Sequence, residues 1–220
     1  MNKIKCILFL MATTTLFNSC SPEDPITSEV TYYPELTLLG DETVLVEQGT
    51  SFDDPGIEAI IQGENVDYKT NGDVDVSAPG MYSLTYSVEN EDGFEATLDR
   101  TVYVYENNGS IAGFWYGSSG NGSEFPVLIS STEDPNVFDI TDVLVGHYEY
   151  GVNYGPNYAV PSTITVNGDN ISSPGGSNAF GVWTVDAPSI SADKTTMTWG
   201  ATLASQSFSL SGLRLDKVTP

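Results

Sequence analysis

Basic residues are scarce in this sequence. Of 220 residues only 7 are Lys or Arg, against 30 Asp or Glu, which gives a formal net charge of −23 at pH 7. Charged residues make up only 17% of the chain, so the acidity reflects missing bases rather than unusually many charges. A nucleic-acid-binding surface needs clustered Lys and Arg, and so does adsorption to anionic lipid. The composition therefore excludes the first and disfavours the second.

Histidine and cysteine are nearly absent. The chain has one histidine, His147, and two cysteines, Cys6 and Cys20. Metal sites built from imidazole and thiolate need several such ligands, so none is expected here. A Ser-His-Asp triad would have to use His147, and no Gly-x-Ser-x-Gly pattern accompanies it. No nucleotide-binding glycine pattern follows a strand and opens a helix. We therefore predict no catalytic residues, no required cofactor and no enzyme activity.

Long apolar runs are also missing, since no stretch reaches the roughly 18–20 residues that span a bilayer. The chain opens with Lys3 and Lys5, a short apolar segment over residues 6–17, and small or polar residues up to Cys20. Such a short core is typical of a signal peptide. Because it ends at cysteine, it resembles a bacterial lipoprotein signal, which implies removal of residues 1–19 and acylation of Cys20, palmitate included. The alternative is an ordinary secretory peptide with a chance cysteine.

The segment after the cysteine is short and acidic. Residues 21–25 read Ser-Pro-Glu-Asp-Pro, and we interpret residues 20–32 as a linker. The tract resembles the export signal of Bacteroides-type lipoproteins, which implies display on the outer face of the outer membrane. A solvated linker without a sorting role is the alternative. After removal of residues 1–19, Cys20 is the remaining cysteine, so stability must come from burial rather than from disulfides.

Residues 33–106 alternate in period two and show no convincing helix. Residues 82–88 place Tyr, Leu, Tyr and Val on one strand face, and a turn over residues 89–93 leads into a second long strand. Shorter strands are predicted at residues 36–39, 44–46, 57–61 and 74–76. The stretches Glu47–Ala59 and Val74–Tyr82 resemble the Ig-like module of bacterial surface proteins, of the type also found in pesticidal crystal proteins. The resemblance implies a β-sandwich that serves as spacer or adhesion module.

Four polar turn formers at residues 107–110 separate this module from a second one over residues 109–220. Strands are predicted there at residues 125–129, 137–140, 142–145, 162–166, 180–185, 195–199 and 206–215. The fold class is therefore all-β, an Ig-like β-sandwich followed by a second antiparallel β-sandwich or open barrel of about eight strands. The layout loosely resembles the uncharacterised C-terminal domain of Bacteroides-type lipoproteins.

Tyrosines crowd one segment of the second module. Tyr148, Tyr150, Tyr154 and Tyr158 occur within eleven residues, together with glycine and proline. We expect Tyr148 and Tyr150 to share one face of a strand and Glu149 to point the other way. Tyrosine combines an apolar ring with a polar tip, which suits stacking on a sugar. The predicted ligand-binding residues are these four tyrosines with Trp115 and Tyr116. A tyrosine-rich core is the competing interpretation.

Acidic residues offer two further hypotheses. The pairs Asp53/Asp54 and Asp73/Asp75 and the group at residues 89–92 place carboxylates near loops, where Ca²⁺ prefers oxygen ligands, although the spacing matches no EF-hand. We interpret them mainly as solvated charges. Glycoside hydrolysis needs two carboxylates across a sugar, and Glu149 is the first candidate if the protein is an enzyme after all.

The resemblance to Bacteroides-type lipoproteins implies a non-catalytic lipoprotein on the outer surface of the outer membrane. It also implies that the Ig-like module holds a ligand-binding β domain for nutrient capture, with a glycan as the expected ligand, to which the tyrosine cluster adds weaker support. The protein's partners would be the membrane, through the lipid anchor, and polysaccharide or outer-membrane transport proteins. The alternative is a structural or adhesion lipoprotein that contacts a protein partner.

Overall fold

The computed structural model describes residues 30–120 and 122–219 of the chain. The predicted signal peptide and the predicted lipidation site at Cys20 lie outside these residues. The fold is all-β, as predicted, and the described residues form three sheets.

Residues 35–105 form two sheets that face each other. One has the strand order β2-β7-β6-β5 and the other β1-β3-β4. The strands are β1 (Glu35–Leu38), β2 (Thr43–Glu47), β3 (Ile57–Ile61), β4 (Glu64–Asn65), β5 (Lys69–Asn71), β6 (Gly80–Glu89) and β7 (Glu95–Tyr105). The pair β2 and β7 is parallel and the others are antiparallel. The alternation predicted for β6 is confirmed, because Leu84, Tyr86 and Val88 are buried on one face.

A buried ion pair lies inside this first module. Arg100 is fully buried and its guanidinium pairs with the Asp54 carboxylate. Tyr86 Oη donates to both oxygens of Asp54 at 2.8 Å, and Arg100 Nη2 donates to the Leu39 carbonyl at 2.6 Å. The interpretation of Asp54 as a solvated loop charge is therefore wrong, because this carboxylate neutralises a buried arginine.

The rest of the described chain forms one nine-stranded sheet that curls into a half-barrel. Its order is β12-β11-β10-β9-β8-β16-β15-β14-β13. The strands are β8 (Gly113–Ser118), β9 (Phe125–Ser131), β10 (Val137–Ile140), β11 (Ser162–Asn167), β12 (Asn170–Ser172), β13 (Gly176–Asn178), β14 (Gly181–Ile190), β15 (Thr196–Leu203) and β16 (Phe208–Lys217). Short helical turns occupy His147–Gly151 (π), Pro156–Tyr158 (3₁₀) and Ala204–Gln206 (3₁₀).

The two edges of the curled sheet approach each other. The edge strands β12 and β13 are separated by residues 173–175 alone. Ser162 Oγ in the neighbouring β11 donates to the Gly175 carbonyl at 2.6 Å and lies 3.0 Å from Ser173 Oγ, which ties this connection to the sheet. The interior is filled by apolar side chains, Trp115, Trp183 and Met197 among them. A cavity beside Trp199 measures about 10 Å³, which is space for a single water. The half-barrel is thus a packed core rather than a ligand container.

Two predicted strands are wrong, and five observed strands were not predicted, namely β4, β5, β8, β12 and β13. Residues 142–145 form a buried turn, because Asp142 binds its own following backbone N–H groups. Residues 74–76 end in a turn in which the Asp75 carboxylate accepts from Ser77 N at 2.9 Å. Strand β8 was missed because its glycines and adjoining Gly/Ser loop hide the alternation.

The two modules contact each other through aromatic residues. Tyr103 of β7 packs on Phe114 of β8 with ring centroids 5.0 Å apart, and Tyr105 and Leu128 belong to the same cluster. Glu106 accepts hydrogen bonds from Ser131 N at 2.8 Å and Ser131 Oγ at 2.6 Å. The joint between the modules therefore combines apolar packing with a charged hydrogen-bond acceptor. Among the residues described, no helix is both long and apolar enough to cross a membrane.

Candidate ligand-binding surface

The tyrosine-bearing segment is a loop closed at its base by Asp142. This carboxylate is 2% exposed and accepts three backbone hydrogen bonds, each 2.8 Å long, from Leu144, Gly146 and Val160. Val143 N also donates to the Val160 carbonyl at 2.9 Å. Burial raises the pKa of Asp142, and the three N–H donors oppose that rise. Asp142 thus ties both ends of residues 142–160 together.

The first turn of this loop enters the core of the half-barrel. Val143, Leu144 and Val145 are fully buried, and Trp199 Nε1 donates to the Val143 carbonyl at 2.7 Å. Val145 has a φ of 53°, which is unusual for a β-branched residue, and Gly146 follows with a φ of 78°. A side chain at Gly146 would collide with Phe125, whose Cβ lies 2.4 Å from the position of an added Cβ. Buried neighbours therefore hold the backbone of this first turn in one conformation.

The expectation that Tyr148 and Tyr150 share one strand face is wrong. Residues His147–Gly151 form a π-helical turn, and the two rings leave it in different directions. Tyr148 packs on Phe180 with centroids 5.0 Å apart, whereas Tyr150 stacks on Phe125 at 6.3 Å. Tyr150 therefore belongs to the joint between the modules and not to the same surface as Tyr148.

Tyr148, Tyr154 and Tyr158 come together, and two phenylalanines join them. The Tyr148 and Tyr154 rings are nearly parallel, at 12° and 6.2 Å, and Tyr158 contacts Phe180 at 4.9 Å. The buried Trp183 lies 5.9 Å from Tyr148 and 6.1 Å from Phe208. We call this group the aromatic surface; its members are Tyr148, Tyr154, Tyr158, Phe180 and Phe208, with Trp183 beneath them. Its most exposed rings are Tyr154 at 52% and Phe208 at 41%.

Asn178 holds three parts of the aromatic surface in place. Its Oδ1 accepts from Phe180 N at 2.9 Å and from Trp183 Nε1 at 3.0 Å, and its Nδ2 donates to the Tyr158 carbonyl at 2.8 Å. Asn178, Phe180 and Phe208 were not predicted from the sequence. An Asn-Ala-Phe-Gly run between a Gly/Ser loop and a strand was the available signal for the first two.

Trp115 and Tyr116 do not extend this surface. Trp115 is fully buried and donates from Nε1 to the Ile111 carbonyl at 3.0 Å, so its prediction as a ligand-binding residue is wrong. Tyr116 is 37% exposed, but its ring contacts Phe114 at 5.3 Å, within the aromatic contacts of the module joint. Trp115 and Tyr116 are neighbours on β8, where they point to opposite sides, so the first is buried and the second is exposed. The Gly/Ser loop beside them made this strand difficult to recognise from the sequence.

His147 pairs with a serine rather than with a carboxylate. Its Nδ1 lies 2.9 Å from Ser119 Oγ, and burial lowers the pKa of the ring, which favours neutral imidazole. Both oxygens of Asp142 are occupied by backbone N–H groups. Within the described part of the chain, no carboxylate bonded to His147 completes a triad.

Glu149 lies on the side of the π-helical turn that faces the joint. Burial raises the pKa of its carboxyl, and a hydrogen bond from Tyr150 works in the opposite direction. Across residues 30–120 and 122–219, no group of three or more His, Cys, Asp or Glu side chains is placed to hold a metal ion. Calcium therefore stays a prediction about the acidic loops without a preformed ligand set.

Comparison with known proteins finds relatives that share this architecture. The crystal structure of the lipoprotein BT2262 from Bacteroides thetaiotaomicron is similar, with a TM-score of 0.68 and 29% identity over 84% of this chain and 100% of that one. A model for a bacterial surface protein Ig-like domain matches residues 36–104, and a model for a C-terminal domain matches residues 71–211, more than half of the chain. The chain belongs to this family of Bacteroides-type surface lipoproteins. No curated protein matches it.

The family assignment confirms the resemblance inferred from the residues, namely an N-terminal Ig-like domain followed by a C-terminal β domain. It also identifies a membrane-associated surface protein. The match to the C-terminal domain begins at residue 71, inside β5, and thus includes β6 and β7 of the first module. The region that this model matches therefore spans the joint between the two modules.

Proposed function

We propose that this lipoprotein is a non-catalytic glycan-binding protein of the outer-membrane surface, anchored through acylated Cys20. The observation that carries the proposal is the aromatic surface. Asp142 closes the loop that carries its tyrosines, and Asn178 holds Phe180 and Trp183. Two of the rings, Tyr154 and Phe208, are substantially exposed. Preformed rings of this kind stack on the C–H faces of sugars, and the tyrosine hydroxyls can bond sugar hydroxyls.

The Ig-like module would hold the half-barrel away from the membrane. Its packing through Tyr103 and Phe114 supports a stiff connection rather than a flexible one. In this arrangement the aromatic surface would be presented to polysaccharide outside the cell, in the service of nutrient capture by outer-membrane transport proteins.

The experiment is a glycan-array screen of the soluble chain from Ser21 to Pro220, run with calcium and with chelator. Binding to a defined saccharide class in both conditions supports the proposal. Loss of the signal in chelator would assign a role to the acidic loops, and a blank array from a folded sample would refute glycan binding. Replacement of Cys20 by serine should in addition release the protein from cell membranes.

A second candidate function is contact with a protein partner, as in a structural or adhesion lipoprotein. The observation that favours it is aliphatic exposure, since Val182 is 66% exposed and Val152 39%. Exposed aliphatic side chains contribute to protein contacts more than to sugar recognition. A stable complex recovered from solubilised membranes, abolished by Val182→Asp, would support this function.

A further inference from the structure

The aromatic surface is open rather than enclosed. It lies where Phe208 begins β16 and where the loop of residues 142–160 covers the half-barrel, whereas the barrel interior is filled. A ligand held there contacts protein on one side only. Such a surface does not enclose the end of a sugar chain, as a blind pocket would.

The aromatic surface extends across several strands of the sheet. Phe208 begins β16, whereas Asn178 in β13 binds the Tyr158 carbonyl at 2.8 Å. Strands β13 and β16 are three interstrand spacings apart in the sheet order, which corresponds to roughly 14 Å along the sheet. A ligand that covers the surface from Tyr158 to Phe208 is therefore a chain of sugars rather than a single one.

Cations of the second module are remote from the surface or already paired. Lys194 occupies the β14–β15 turn, seven or more residues along the strands from Trp183, which corresponds to roughly 20 Å. Arg214 projects from β16 between the buried Leu213 and Leu215 and makes two hydrogen bonds of 2.6 Å to Asp216. Lys217 Nζ donates to the Ser110 carbonyl at 2.6 Å, above Trp115.

The remaining cations of the described residues lie in the first module. Arg100 is buried against Asp54, and Lys69 is in β5 opposite Ser87. Ser87 pairs with Thr97, which is six residues, about 20 Å, along β7 from Tyr103 at the joint. These separations exceed the screening length of about 8 Å at physiological ionic strength. None of the five Lys and Arg side chains that the structure describes is therefore placed to bind an anionic group of a ligand at the aromatic surface.

From these observations we infer that the aromatic surface binds a neutral polysaccharide along its length, and that it discriminates against chains carrying uronate or sulfate groups. The inference rests on the proposed function, because it specifies the class of glycan for that same surface. Stacking on Tyr154 and Phe208 supplies the affinity, and the missing cations supply the discrimination.

The test is affinity electrophoresis of the soluble chain in gels containing single polysaccharides. The neutral panel is β-glucan, mannan, xylan and starch, and the anionic panel is polygalacturonate, alginate and chondroitin sulfate. We expect retardation by at least one neutral polymer and by none of the anionic ones. Calorimetry with oligosaccharides of the retarding polymer should show at least a tenfold gain in affinity from monosaccharide to hexasaccharide.

Variants separate the outcomes. Tyr154→Ala and Phe208→Ala should each abolish retardation, and Tyr33→Ala, which removes a 62% exposed tyrosine from the first module, should not. Binding of an anionic polymer that is lost in Tyr154→Ala would overturn the neutral class while leaving glycan binding intact. Equal affinity for monosaccharide and hexasaccharide would overturn binding along the chain. Absence of retardation by every polymer would overturn this inference and the proposed function together.

Discussion

The hydroxyl of Tyr150 lies 3.4 Å from the hydroxyl of Tyr103, and this contact joins the loop of residues 142–160 to the Ig-like module. Burial raises the pKa of both phenols, so both are neutral at physiological pH. The same five-residue π-helical turn carries Tyr148 toward the aromatic surface. One short turn therefore connects the candidate binding surface with the joint between the modules.

The packing of Tyr150, more than its hydroxyl, should stabilise that joint. A separation of 3.4 Å is long for an O–H···O hydrogen bond, so a double-mutant cycle of Tyr103→Phe and Tyr150→Phe should give a coupling below about 1 kcal/mol in urea unfolding. Tyr150→Ala also removes the stacking on Phe125 and should cost several times more. A loss for Tyr150→Phe as large as that for Tyr150→Ala would contradict this assignment.

The stability of the protein should depend on both carboxylate oxygens of Asp142 as hydrogen-bond acceptors, so an amide of the same shape should not replace them. In Asp142→Asn the amide NH₂ replaces the oxygen that accepts from Gly146 N, so two donors face each other in a buried place. We expect a loss of about 1–3 kcal/mol in the free energy of unfolding. Asp139→Asn, on the exposed face of β10, is the matched control and should change little. Equal effects of the two variants would show that the buried contacts of Asp142 do not hold the loop.

Asn178 should order the aromatic surface. Asn178→Ala leaves the Trp183 indole N–H without its acceptor and frees Phe180 N and the Tyr158 carbonyl. Amide hydrogen exchange should therefore accelerate at Phe180, with stability lowered by about 1–3 kcal/mol. The exposed Asn157 provides the control through Asn157→Ala. Unchanged protection at Phe180 would rule out the positioning role.

The stability contributed by Glu149 should depend on pH. Because burial raises its pKa above the unfolded value of about 4.3, its contribution is complete below that pH and is lost as pH rises through the folded pKa. Glu149→Gln removes this loss, so its unfolding free energy relative to wild type should increase from pH 4 to pH 7. Glu133→Gln, at an exposed position, is the control for the substitution itself. A Glu149→Gln difference that is flat across this range would contradict the direction of the shift.

The prediction from sequence was most accurate where side chains alternate in and out of a core. Strand β3 was predicted at its observed residues, and the buried face of β6 was identified correctly, because both follow period two. The π-helical turn could not be found in this way. Its course depends on Asp142, Trp199 and Gly146, which are distant in sequence or act through backbone contacts.

The candidate site was predicted in part. The structure brings together Tyr148, Tyr154 and Tyr158 of the four clustered tyrosines, on a loop where a strand had been predicted, and ligand binding by them stays a prediction. Trp115 was misplaced because adjacent residues on a strand face opposite sides, so proximity in sequence to Tyr116 carried no information about its exposure. Phe208 belongs to the aromatic surface because of strand pairing that is distant in sequence: it lies opposite Leu203, which in turn pairs with Trp183.

The most direct test of glycan binding by this lipoprotein is a titration of Tyr154→Ala against wild type, with the saccharide identified on the array. Tyr154 is exposed enough for its removal to leave the fold intact, which circular dichroism and the melting temperature will verify. The account predicts at least a tenfold loss of affinity in Tyr154→Ala and wild-type affinity in Tyr33→Ala. Wild-type affinity in a folded Tyr154→Ala protein would contradict it and locate the ligand elsewhere.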